Sequence, residues 1–167
     1  MIFLIMPALG LSIIPIILLE ALYLGRRLGL KAARAAKTAT ISNLVSTLAG
    51  VPLTWLLLVV LQIVTGGGRA FGLDTVLGKV LAVTFQAAWL IPYESDLYWM
   101  IPAAGLVLLV PFFFVSWWSE YWVSKKILED HPAQRVKLTV RNANLMTYAL
   151  LALWPVGFWL LNHPAGG

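Results

Sequence analysis

A chain of 167 residues that is 60% hydrophobic and only 11% charged has too little polar material to cover a soluble globule, and it reads as an all-α integral membrane protein. The net charge of +5 would suggest a nucleic-acid partner if the basic residues were spread over a soluble surface. Ten of the twelve Lys and Arg residues lie instead in two short stretches between apolar segments, a pattern of membrane topology that argues against nucleic acid. Cysteine is absent, which excludes disulfides, thiolate metal sites and thiol catalysis.

A spanning helix needs about 20 predominantly apolar residues, because the hydrocarbon layer is ~30 Å thick and each residue rises ~1.5 Å. The opening run Met1-Ile2-Phe3-Leu4-Ile5 lacks the cationic start and small-residue cleavage pattern of a signal peptide, so residues 2–24 are expected to form a retained first span. Glu20 is its one charge. Arg26, Arg27, Lys31, Arg34 and Lys37 follow in an Ala-rich stretch expected to be helical, and 44–64 forms a second span. These complete a first helical hairpin over 1–65.

Residues 66–96 form an external segment. Thr65-Gly66-Gly67-Gly68-Arg69 is a flexible turn, and 73–91 is expected to be a helix lying in the interface. On it Leu73, Leu77, Leu81, Phe85 and Trp89 make a greasy stripe, with Thr75, Lys79, Ala82 and Gln86 on another side. Tyr93, Tyr98 and Trp99 supply an aromatic belt there. The second hairpin, 97–167, has spans at 97–119 and 145–161. Between them lie Lys125, Lys126, Arg135, Lys137 and Arg141, interrupted by Glu129-Asp130-His131-Pro132.

With both basic connections assigned to the cytoplasm, both termini lie outside or in a lumen. The two hairpins then enter the membrane in the same sense, as a parallel pseudo-repeat. The spacing of residues agrees: from Arg34 the steps to Thr38, Asn43, Leu44 and Ser46 equal those from Arg135 to Thr139, Asn144, Leu145 and Thr147. The expected fold is therefore four transmembrane helices in two parallel hairpins plus one interfacial helix. The ten basic residues are expected to contact anionic lipid, at ~1 kcal/mol each.

Glu20 and Glu120 are each carboxylates inside an apolar run that ends in a basic doublet. An acid at that depth snorkels to the headgroups, pairs, or takes a proton. One reading neutralises each glutamate locally with the basic residues one or two turns on; another gathers Glu20, Glu120, Asn43 and Asn144 into one intramembrane polar cluster; a third makes the acids a transport or proton-relay pair. No polar residues are seen to continue the path through the other half of the membrane. Trp117, Trp118 and Trp122 read as belt residues or as a face for a partner.

No HExxH, GxSxG, P-loop, paired-Asp or CxxC motif is present, so no catalytic residue is assigned and an enzyme is not expected. No metal or cofactor is required. Within a span a chlorophyll magnesium would find ligands only in Glu20, Glu120, Asn43 or Asn144, and a lipid is the other small molecule the chain could hold.

Pro15 to Gly29, with Asn43-Leu44-Val45-Ser46-Thr47-Leu48-Ala49-Gly50-Val51-Pro52-Leu53-Thr54-Trp55, resembles small polytopic cyanobacterial, thylakoid-type membrane proteins of unassigned function. The resemblance covers about the first third of the chain. It implies a thylakoid or plasma-membrane setting and an accessory role in photosynthetic complexes or their assembly. The function expected is a non-enzymatic accessory or assembly subunit whose partners are membrane lipids and other membrane-protein subunits. The alternative is a small transporter or channel with Glu20 and Glu120 as coupling carboxylates.

Overall fold

The computed structural model describes residues 2–66, 71–85 and 96–162. Five helices account for almost all of them: α1 (Ile2–Leu28), α2 (Ala32–Gly66), α3 (Val76–Phe85), α4 (Leu97–Ile127) and α5 (Ala133–Asn162), with no strand among the described residues. Three helices, Ala32–Thr65 in α2, Tyr98–Ile127 in α4 and Ala133–Leu161 in α5, are long and apolar enough to cross a membrane.

The helices overrun the expected spans at the basic end. The stretch 32–41 is continuous with the apolar run 44–64 in one helix, and α5 begins at Ala133, twelve residues before the apolar window at 145. An apolar window records the thickness of the lipid, whereas Ala32–Ala39 and Ala133–Ala143 contain nothing that breaks a helix. The basic residues therefore lie mostly on helical turns, and the true connections shrink to residues 29–31 and 128–132.

Each connection closes through its own backbone chemistry. After α1, Gly29 takes a φ of 69°, and the Leu30 amide donates to the Gly25 carbonyl at 3.1 Å, as in a Schellman cap. At the other turn the Leu128 amide donates to the Ser124 carbonyl at 2.9 Å. The Pro132 carbonyl then accepts from the amides of Arg135 and Val136 and starts α5.

In the bundle α1 packs on α2 and α5, and α4 packs on the same two helices, so the four long helices form a closed ring. Its interior is the reverse of a soluble core. The buried side of α2 carries Ala35, Thr38, Ala39, Ser42, Asn43, Ser46, Thr54 and Gln62, while Leu48, Leu53, Leu56 and Val64 face outward. In lipid, small and polar residues bring helices together and large apolar ones gain nothing by hiding. Gly50 follows this rule: a Cβ placed there would touch Val115 of α4 at 3.6 Å. Two apolar clusters plug the ends of the ring. One joins Leu58, Ala82, Val83, Met100, Ala104 and Leu108; the other joins Leu28, Leu128, Val136 and Val140.

α3 differs from the expected helix over 73–91. It covers Val76–Phe85, and residues 86–91 lie outside the described residues. Its N-terminus is capped by Thr75 Oγ1, which accepts the Gly78 amide at 3.0 Å. The packed side is Ala82 and Val83, whereas Leu77, from the expected greasy stripe, is 67% exposed. The small Ala82 is what lets α3 approach Met100 and Ala104 of α4. Stripe and packed side differ because both faces of this helix are apolar.

Gly29→Ala is expected to destabilise the bundle by about 1 kcal/mol, since the added methyl meets nothing within 4 Å and only the left-handed backbone is penalised. Unfolding of the two proteins in detergent measures the difference.

Candidate functional site: a buried dicarboxylate

Four helices each bring polar side chains to one level of the bundle. Glu20 lies on α1 and Glu120 on α4. Asn43 and Ser46 on α2, and Asn144 and Thr147 on α5, are three residues apart and so share a helix face. All six are at most 5% exposed.

The hydrogen bonds cross between hairpins in a reciprocal pattern. Glu20 Oε2 accepts from Asn43 Nδ2 at 2.6 Å, and Glu20 Oε1 accepts from Thr147 Oγ1 of the other hairpin at 3.0 Å. Glu120 Oε2 accepts from Asn144 Nδ2 at 2.7 Å, and Glu120 Oε1 accepts from Ser46 Oγ of the first hairpin at 2.9 Å. Each acid thus takes an amide from its own hairpin and a hydroxyl from the other. Each asparagine is aimed by a second bond to its own helix, from Asn43 Nδ2 to the Ala39 carbonyl at 2.9 Å and from Asn144 Nδ2 to the Val140 carbonyl at 3.2 Å.

The donors to both acids are neutral. Among the described residues no Lys, Arg or His bonds either carboxyl group; Arg34 pairs with Asp130 instead, and His131 Nδ1 lies 3.2 Å from the same carboxyl. Local neutralisation by the basic doublets is therefore replaced by inward pairing. Arg26, Arg27, Lys125 and Lys126 sit at the turn end, beyond Leu24 and Ser124, and point away from the ring. Ser46 and Thr147 stand twelve residues after Arg34 and Arg135 respectively, and their hydroxyls complete the site. Tyr148 and Ser116 add a further tie between α5 and α4, with oxygens 2.8 Å apart.

The polar lining extends further than the sequence suggested. Thr54 and Gln62 are also buried on α2, so the packed part of the second half of that helix is not purely apolar. Toward the turns Ser124, 1% exposed, lies one helical turn from Glu120.

At the turn end the two hairpins are joined again. Arg34 donates to the Ile127 carbonyl at 3.2 Å, and Arg135 donates to the Arg27 carbonyl at 2.9 Å. Arg34 also grips both oxygens of Asp130, at 2.8 and 2.5 Å. Its guanidinium holds the Asp130 carboxyl well below the usual carboxylate range. Of the ten basic residues expected to contact lipid, Arg34 and Arg135 are thus engaged in joining turns. Lys137 lies over the Trp117 and Tyr121 rings at 5.8 and 5.9 Å, and Lys125 over Trp122 at 5.8 Å. Arg26, Lys31, Lys37, Lys126 and Arg141 are exposed.

The three tryptophans do not form one face. Trp117 stacks on Phe113 at 6.3 Å and packs against the cluster of Leu128, Val136 and Val140, whereas Trp118 and Trp122 are 55% and 48% exposed and adjoin each other at 6.3 Å. Residues one apart diverge by ~100° around a helix, so Trp117 turns inward while Trp118 and Trp122, four apart, stay together outside.

Among the described residues no three of His, Cys, Asp or Glu come together as a metal-ligand group. What gathers is two carboxyls with amide and hydroxyl groups, an all-oxygen and amide environment without a nucleophile activated by a base. No family model, curated protein or solved structure matches this chain.

Replacing Asn43 or Asn144 by Ala is expected to cost about 1–3 kcal/mol each, the range for a buried donor to a carboxyl. A double-mutant cycle between Thr147→Val and Glu20→Gln should return a coupling of roughly 0.5–2 kcal/mol across the hairpins, measured by unfolding in detergent or bicelles.

Proposed function

We propose that this chain is a non-enzymatic accessory or assembly subunit of a larger membrane protein complex. In this reading four helices span the bilayer as two duplicated, like-oriented hairpins, and the shared dicarboxylate holds them together. The reciprocal bonding of Glu20 and Glu120 supports the duplication. So does the exchange in which Arg34 reaches the Ile127 carbonyl and Arg135 the Arg27 carbonyl, since those carbonyls lie seven residues after Glu120 and Glu20 respectively. Joined turns also support a single cytoplasmic end carrying the basic residues, with both termini on the other side.

The observation that carries the accessory role is the outer face of α4. Val110, Phe114, Trp118 and Trp122 recur every fourth residue and are 60%, 56%, 55% and 48% exposed. They form a ridge of large side chains along a helix long and apolar enough to cross a membrane. Rigid aromatics offer a neighbouring transmembrane helix more contact for less lost side-chain freedom than lipid-facing Leu would. The resemblance of the first third to thylakoid-type proteins makes a photosynthetic complex the first partner to test.

Native electrophoresis of membranes solubilised in a mild detergent is expected to find the chain travelling with a larger assembly. Trp118→Ala with Trp122→Ala should release it as a free, folded bundle. Wild type recovered as a free monomer would count against the proposal.

A further inference from the structure

The dicarboxylate has a surplus of acceptors and a deficit of positive charge. Glu20 and Glu120 carry two ionisable groups into the ring, and every donor that reaches them is a neutral amide or hydroxyl. Two buried acids at one level of the ring stay ionised together only beside a compensating positive charge, which no basic side chain among the described residues supplies; without one they take up protons. Each carboxylate oxygen has accepted one bond from a donor and offers about two lone-pair sites, so accepting capacity remains.

Asn144 adds a third acceptor. The residue is fully buried, and its Oδ1 has no hydrogen-bond partner. The amide cannot be turned round, because its nitrogen stands between two acceptors, Glu120 Oε2 and the Val140 carbonyl. The oxygen left without a partner therefore belongs to the same amide that touches Glu120. Such an orphan is costly in a dry interior unless a ligand uses it.

We propose that Glu20, Glu120 and Asn144 Oδ1 form a binding site for one hard divalent cation of the calcium type, with the hydroxyls of Ser46 and Thr147 beside it. Oxygen donors alone select hard cations over zinc or copper, which favour nitrogen and sulfur. Charge selects a divalent ion, since two carboxylates and one such ion sum to zero in a low-dielectric interior. Calcium tolerates irregular shells of carboxylate and amide oxygens, whereas magnesium insists on an octahedron and keeps several waters rather than taking an all-protein shell. The site lies inside the ring and the proposed docking ridge lies outside it, so either proposal can fail alone.

The test uses the full chain in detergent, freed of metal with a chelator. Mn2+ is titrated in, its free form is followed by electron paramagnetic resonance, and Ca2+ serves as competitor. The expected result is one Mn2+ per chain, displaced by Ca2+, with protons released on binding when the starting pH is acidic. Glu20→Gln and Glu120→Gln should each abolish it, and Asn144→Ala should weaken it at least roughly tenfold, with recovery in Asn144→Asp. Glu129→Gln, which removes an acid of the turn that bonds none of these residues, should leave it unchanged. Should the glutamine variants lose their helical circular dichroism, a Ca2+-dependent rise in the melting temperature of wild type that is lost in Asn144→Ala carries the same information. No saturable binding by the folded wild type, binding that survives both glutamine substitutions, or a melting temperature that responds to pH alone would each overturn the assignment.

Discussion

Hydrogen bonds between two acids and the opposite hairpins decide how this bundle packs. In hydrocarbon a helix gains little by hiding its leucines from lipid tails that are equally apolar, so helix pairing depends on close contact and on polar groups with nowhere else to go. Glu20 and Glu120 cannot face lipid, and each is reached from both hairpins. Separating the hairpins would break both hydroxyl bonds and leave each carboxyl held by its own asparagine alone. That shared penalty makes one arrangement of the four helices distinct from the many that would bury similar apolar area.

The cluster lies between two dry layers. On α4 the order is Met100, Ala104 and Leu108, then Glu120 and Ser124, then Leu128, so the acids sit between the end clusters and away from bulk water. About eight residues, or ~12 Å, separate Glu120 from the turn. There the second set of contacts operates under other rules: Arg34, Arg135, Asp130 and His131 are partly in water, and such pairs individually contribute little. Their value is geometric. They bring residues 27–31 and 127–131 to the same end, which is the condition for both acids to lie at one depth.

Much of this was readable from residue spacing. Asn43 and Ser46 stand in the same relation to Arg34 as Asn144 and Thr147 do to Arg135, and polar residues matched within apolar runs have few reasons to recur other than a shared contact. Other features were hidden for physical reasons. Helix ends escaped because an apolar window stops at the lipid boundary while a helix continues until Gly29 or Leu128 ends it. Grouping Trp117 with Trp118 and Trp122 ignored the rotation between adjacent residues, which sends Trp117 toward Val136 and Val140. The packed side of α3 was not legible because an apolar stripe suits lipid as well as protein, while in a membrane the small Ala82 is the residue that allows approach.

The central claim is that each asparagine amide meets a glutamate carboxyl inside the ring, and it is most directly tested by solid-state NMR of the chain in lipid bilayers. Dipolar recoupling between 15N-labelled asparagine amides and 13C-labelled glutamate carboxyls reads the separation itself. The account predicts two strong contacts at ~3.5 Å, from Asn43 to Glu20 and from Asn144 to Glu120, each lost with the corresponding asparagine. Carboxyls that show no such coupling and exchange freely with water would contradict it.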